Sequence, residues 1–231
     1  MNEIIIIAIS IIGILIVKLA LNVKIRKMFA LNNEKNSETL KKISERFPED
    51  KEICNDILKQ VKAKNVKVKI DKESYNCFYA VATNSITIGK FKQDIIKIQT
   101  IAHECIHATQ NKSTLWTNFI LSNIYNVYFL VILVLTLFNK VKFTNVLMYV
   151  LIMLAIIKFI IRVYLENDAM IRAKYVSKEY LDSKEIFTEK EKEELINKYE
   201  QVNKLGIPFY NFYLFSNEIL KIIVYCIISL I

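Results

Sequence analysis

Turn-forming residues are scarce in this chain of 231 residues, which has three glycines and two prolines. That is too few for a typical soluble domain, and no glycine-rich phosphate loop, internal repeat or low-complexity tract is present. Histidine is rarer still, with two residues, His103 and His107. The four cysteines, Cys54, Cys77, Cys105 and Cys226, show no CxxC spacing. Neither a disulfide framework nor a cysteine zinc finger is therefore indicated, and they read as reduced packing residues. Acids are outnumbered by bases, 23 to 32, for a formal charge of +9. The lysines are spread through polar segments and flank apolar runs, a pattern that encodes membrane topology, so no nucleic-acid partner is expected.

What the chain does have is apolar surface. Hydrophobic residues make up 53% of it, and several runs are long enough to cross a bilayer. Residues 4–22 are nearly continuous aliphatics, preceded by Glu3 and followed by Lys24, Arg26 and Lys27. With no positive charge before the run and no small-residue cleavage site after it, residues 1–22 are expected to form an uncleaved anchor. The charge asymmetry puts the amino terminus outside and the following region in the cytoplasm.

Residues 23–115 are mostly polar. Helical periodicity marks "SETLKKISERF" and "PEDKEICNDILKQVKAK". Short strands are expected at 66–70, 77–82 and 85–88, turning at Asp71 and Asn84, as a small antiparallel sheet. A helix should then run from Phe91 to Asn111, with Lys92, Gln93, Asp94 and Lys97 making it partly soluble. If it continues straight into the next span, His107 stands about 15 Å above the membrane surface at ~1.5 Å per residue. The strand "SITI" before it is expected to be an edge able to pair with an extended substrate.

Residues 116–165 contain two apolar runs, 118–138 and 143–165, separated by Asn139, Lys140, Val141 and Lys142. So short a loop implies an antiparallel transmembrane hairpin, with Lys158 and Arg162 snorkelling toward headgroups. A hairpin returns to the side it left, so Glu166 should emerge on the face that carries His103 and His107. Residues 166–205 are polar and helical, and the run "TEKEKEELINKYEQ" reads as a solvated face. Residues 206–231 hold a last apolar run interrupted by Glu218 and Lys221. It is either a fourth span with an internal ion pair or an interfacial helix, and the span is favoured.

The chemistry is concentrated in "TIAHECIHATQN", residues 100–111. Imidazoles four residues apart lie on one helix face and can hold one Zn²⁺ at two tetrahedral corners. Glu104, rotated by about 100° from His103, cannot join them as an equal ligand. It can reach a water on the metal's open side and act as general base. A catalytic zinc needs a third protein ligand. Gln110 and Ser113 stand where a metzincin needs glycine and histidine, so the ligand must be a carboxylate or a cysteine. Cys105 points off the ligand face and reads as a small buried residue. The stretch "YLENDAMIRAKYV", residues 164–176, supplies Glu166 as the choice for the metal. Asp168 can orient a ligating histidine, with Arg172 at i+4 holding it, or the two form a simple helix pair with no metal role.

Together, "AHECIHATQ", a transmembrane hairpin and "ENDAMIRA" resemble the bacterial YugP-like neutral zinc metallopeptidases, whose pattern is AHExGHAxQ, two spans, then ExDAxxRA. Ala102, His103, Glu104, His107, Ala108 and Gln110 match the first block, and Glu166, Asp168, Ala169, Arg172 and Ala173 the second. The resemblance implies one Zn²⁺ on His103, His107 and Glu166, with Glu104 as general base. It covers the chain from the strands onward. Ile106 departs from the family's glycine and should narrow the space beside the metal; Met170 stands where the related ExxxD peptidases carry an acid.

The expected fold is α+β but mainly α: transmembrane helices with a small antiparallel sheet and an HExxH helix as a minimal zincin-like core. The expected function is a multi-pass membrane zinc metalloendopeptidase, its active site on the cytoplasmic side, acting on membrane-proximal polypeptides. The alternative is a metal-binding, non-hydrolytic scaffold or chaperone, against which Glu104 argues, since a structural site needs no base. A site-2-type protease is disfavoured because the motif lies outside a span and no LDG signature is present. Too few polar residues lie in the spans to favour a transporter. Nothing in the sequence fixes an oligomeric state.

Overall fold

The computed structural model describes residues 2–33, 38–91, 93–138, 140 and 143–230. Ser37, Lys92, and Asn139, Val141 and Lys142 of the expected inter-span loop lie outside the described residues. The chain forms two units. One comprises Arg26–Leu115 and Leu165–Leu205, the other Met1–Ile25, Trp116–Tyr164 and Gly206–Ile231.

The first unit begins with α2 (Ile25–Asn33), α3 (Glu38–Ser44) and α4 (Asp50–Gln60). Asp50 and Glu52 in the first turn of α4 and Lys59 in its last complement the helix dipole. Its buried Ile53, Cys54, Ile57 and Leu58 recur at the three-to-four-residue spacing of an inward face. Three strands follow, β1 (Lys67–Ile70), β2 (Phe78–Ala80) and β3 (Ser85–Ile88). Asp71 makes the first turn by accepting from the backbone N–H groups of Glu73 and Ser74 at 3.0 and 3.3 Å, and Asn84 makes the second with a φ of 45°.

The sheet is mixed, which corrects the antiparallel expectation. Its order is β1-β3-β2, with β1 parallel to β3 and β2 antiparallel to it. Burial explains the order. Ser85, Ile86 and Ile88 are all buried, so β3 takes the enclosed central place, while the lysine-bearing β1 is largely exposed and suits an edge. "SITI" is therefore not an edge, and an extended segment could add only at β1 or β2.

The expected helix of residues 91–111 is also shorter and interrupted. A 3₁₀ turn at Asp94–Ile96 leads into α5 (Lys97–Thr109), and Gln110 is extended, with ψ 162°, before α6 (Lys112–Leu137) begins. No straight rod runs from the histidines into the span. The core of this unit gathers Ile53 and Ile57 of α4, Ile86 and Ile88 of β3, and Ile98, Ile101, Ala102 and Cys105 of α5. Ala169 and Ala173, from α7 (Thr144–Asp182), and Leu195 and Tyr199, from α8 (Glu189–Ser229), complete it.

The second unit combines α1 (Asn2–Ala20) with the apolar lengths of α6, α7 and α8. Among the described residues, four helices are long and apolar enough to cross a membrane, the carboxy-terminal one included. Tyr125 and Ile132 of α6, Met148, Leu151 and Ala155 of α7, and Ile222, Tyr225 and Cys226 of α8 pack at the centre, with Ile6 and Ile7 of α1 against them. Outward, Ile9, Val127, Ile160 and many others are more than half exposed, a distribution that suits lipid rather than water. Lys158 does not snorkel as expected; it donates to Glu218 of α8 at 2.5 Å.

Gly89 tests the packing around the sheet. A Cβ there would come within 2.6 Å of the Ser74 carbonyl oxygen and 2.7 Å of the Asn76 carbonyl oxygen, whereas one at Gly206 would meet nothing within 4 Å. Gly89→Ala should cost about 1–3 kcal/mol through forced backbone shifts. Gly206→Ala, in a helix, should stabilise by about 0.5–1 kcal/mol. Thermal unfolding of the detergent-solubilised variants reads both, and equal midpoints would contradict the packing described.

Candidate metal centre

Thr100, His103 and His107 stand at i, i+3 and i+7 on α5, so they share one face, while Ile98, Ile101, Ala102 and Cys105 face the core. Ile106 is completely buried in that core. Cys105 faces α4, its Sγ 3.8 Å from that of Cys54. Burial, and then its hydrogen bond with Cys54, push the Cys105 thiol well above the ordinary range, so it acts as a small apolar residue.

On α7, Glu166, Ala169 and Ala173 likewise repeat at i, i+3 and i+7. Both alanines are 0% exposed, and their small side chains let the helix backbone come close to its neighbours. Glu166 shares their inward face and is 4% exposed. Its Oε2 lies 3.4 Å from His103 Nε2 and 3.8 Å from His107 Nε2. The two Nε2 atoms are 3.0 Å apart.

Those three atoms fit a metal ion. With bonds of about 2.0–2.2 Å, neighbouring ligands at tetrahedral corners sit roughly 3.3–3.6 Å apart, and the observed separations bracket that range. Among the described residues, His103, His107 and Glu166 form the one His/Cys/Asp/Glu group placed to hold an ion. A set of two imidazoles and one carboxylate suits a first-row divalent metal better than Ca²⁺ or Mg²⁺.

Gln110 organises this geometry, and the sequence reading missed it as a site residue. His107 Nδ1 is 2.8 Å from Gln110 Oε1; the amide oxygen can only accept, so Nδ1 carries the proton and Nε2 keeps its lone pair for a metal. The Gln110 amide nitrogen donates in turn to the Leu165 carbonyl at 2.8 Å and to Asp168 Oδ2 at 2.9 Å. One side chain thus ties a ligating histidine to the helix that supplies the carboxylate. The extended backbone at Gln110 is what frees it from α5 to reach α7. The available signal was its place three residues after His107.

Asp168 reaches the histidine only through Gln110. It also accepts from Arg172 at 3.3 Å, an i,i+4 pair with both side chains at least one third exposed and so of small energetic weight. Glu104 is 7% exposed yet takes no hydrogen bond or ion pair among the described residues. A buried carboxylate without a partner is costly unless a cation or water answers it.

The histidine responds to these acids. Burial, the largest single influence, pulls the His107 pKa down. The neighbouring Glu166 carboxylate, the charge of Glu104 and the hydrogen bond with Gln110 together outweigh it, so the pKa sits above the usual histidine value. No family model, curated protein or solved structure matches this chain.

Two outcomes follow for the metal-binding step. A ligand must be deprotonated, so affinity for a divalent metal should fall on acidification, starting above the ordinary histidine pKa of about 6.5. The raised His107 pKa contributes stability to the metal-free chain below about 6.5 and loses it as pH rises through the folded value, so metal-free melting temperature and metal affinity should run in opposite directions. Competition against a chromophoric chelator and thermal melts between pH 5.5 and 8 measure them. Gln110→Leu should weaken metal binding by about 10–100-fold; unchanged affinity would remove Gln110 from its positioning role.

Proposed function

We propose that this chain is a membrane-anchored zinc metalloendopeptidase, with His103, His107 and Glu166 as ligands of one Zn²⁺ and Glu104 as general base. The observation that carries the reading is the Glu166 carboxylate, 59 residues beyond His107, set within 3.4 and 3.8 Å of two imidazole nitrogens four residues apart on one helix. On the same helix stands a second buried carboxylate, Glu104, with no hydrogen bond or ion pair among the described residues. The pattern shared with YugP-like peptidases supports the same assignment.

When bound, zinc lowers the pKa of a water and polarises a carbonyl. The protein's own residues supply the rest. Gln110 holds His107 in the ligating tautomer. Asp168 and the Leu165 carbonyl accept from the Gln110 amide and keep it from rotating. Glu104 takes a proton from the attacking water and returns it to the leaving amine nitrogen of the peptide. The chain anchors in the cell membrane by its four apolar helices, and the lysine and arginine flanks favour a cytoplasmic site acting on membrane-proximal polypeptide.

Glu104→Gln preserves shape and removes the base. Purified in detergent, it should keep one zinc per chain and lose about 10²–10⁴-fold in peptide hydrolysis. Glu166→Ala should lose the metal itself. Equal activity in wild type and Glu104→Gln would end the mechanism. Full zinc with no hydrolysis by the wild type would leave a metal-binding scaffold instead.

A further inference from the structure

The apolar unit contains a second polar cluster, remote from the candidate metal centre in chemistry and composition. Lys158 of α7 donates to Glu218 Oε1 of α8 at 2.5 Å. Lys221, one turn further along α8, donates to Asn126 Oδ1 of α6 at 3.0 Å and lies 3.8 Å from the other Glu218 oxygen. Both ammonium groups sit 4.7 Å from the centre of the Tyr125 ring.

The depth of this cluster is unusual for charge. Tyr225 hydroxyl bonds to the Thr144 carbonyl and meets Thr136, so the end of α6, the start of α7 and the end of α8 lie together. Lys158 is 14 residues from the start of α7, Glu218 11 from the end of α8, and Tyr125 12 from the end of α6. At ~1.5 Å per residue the cluster is roughly 17–21 Å from that common end, near the middle of a ~30 Å hydrocarbon layer. Ionisable side chains at such depth are found facing a partner or a water-filled path.

The cluster is also unbalanced. Two lysines meet one carboxylate, and the only other acid in this unit's sequence is Glu3 at the far start of α1. The excess charge is on the outward side: the Lys221 side chain is 22% exposed against 13% for Lys158 and 8% for Glu218. Asn126 is exposed, and with Phe119, Asn123 and Leu130 it forms an outward stripe at helical spacing. Asn123 already spends its amide on the Phe119 carbonyl. The Asn126 amide nitrogen has no acceptor among the described residues, and lipid offers none.

We infer that the Asn126–Lys221 stripe is a docking surface for a membrane-spanning helix of another protein that carries a carboxylate near its midpoint. That acid would give Lys221 a carboxylate of its own, where it now shares Glu218 with Lys158, and accept from the Asn126 amide, in close packing along the exposed stripe. A second copy of this chain is the wrong partner: it would bring the same surplus cation and no spare acid. The inference rests on the membrane reading and is independent of the peptidase one.

The probe is a leucine-alanine transmembrane peptide with one central Glu, compared with the same peptide carrying central Leu or Lys. Each is co-reconstituted with the full chain in phosphatidylcholine vesicles, and association is read by energy transfer. The Glu peptide should associate at least tenfold more strongly than the other two. Lys221→Leu should reduce it to the level of the Leu peptide, while Lys221→Arg retains it. Equal association of Glu and Leu peptides with chain that resists alkaline extraction overturns the docking surface alone. So does full Glu-peptide binding by both Lys221→Leu and Asn126→Leu, or self-association of the chain abolished by Lys221→Leu. A chain removed by alkaline extraction overturns the membrane reading as well.

Discussion

A carboxylate held against two imidazoles is the constraint around which the first unit is arranged. A Glu 4% exposed cannot remain ionised there without compensation, because desolvation of the charge exceeds what a single neutral hydrogen bond returns. His103 and His107, or what they bind, stand closest to supply that compensation. α7 must therefore run beside α5 at close range. Ala169 and Ala173, on the same stripe as Glu166 and wholly buried, make that approach sterically possible. A leucine at either position would push the helix outward and carry the carboxylate away from both rings.

Close approach alone does not orient the donors. An imidazole on a helix can rotate about its side-chain bonds and can carry its proton on either nitrogen. Gln110 removes that freedom for His107, and it does so from outside the helix, where extended backbone lets it span to α7. The termination of α5 after Thr109 thus belongs to the chemistry of the site. A helix continuing straight through residue 110 would turn that side chain with the helical register and lose the link between the two elements.

Local patterns in the sequence were informative, and pairings across distance were not. Two histidines four apart, a glutamate between them and an acid after an apolar hairpin can be read from spacing, since helix periodicity fixes which side chains share a face. The four apolar helices follow from composition. The strand order could not be read: "SITI" sits last in sequence but centrally in space, because burial of β3 on both sides outweighs adjacency along the chain. The role of Gln110 was not legible beyond its place three residues after His107, because its reach to α7 depends on a backbone break after Thr109. Glu218 and Lys221 looked like an internal helix pair, while the nearer partner of Glu218 is Lys158 on another helix.

The two units leave buried charge of opposite sign. With neutral imidazoles, Glu104 and Glu166 put two negative charges around the histidines of the first, and they raise the His107 pKa against the burial that lowers it. A divalent cation neutralises the excess outright, and the two nitrogen donors direct the choice toward a metal that accepts imidazole. The second unit has two ammonium groups and one carboxylate, an excess of one positive charge in surroundings of low polarity. A cation cannot relieve it; an anionic group can, and Lys221 and Asn126 are the members of the cluster most open to one. In each case the same reasoning applies, because a buried excess of charge, once its sign and its accessible side are known, restricts the chemistry of whatever must complete it.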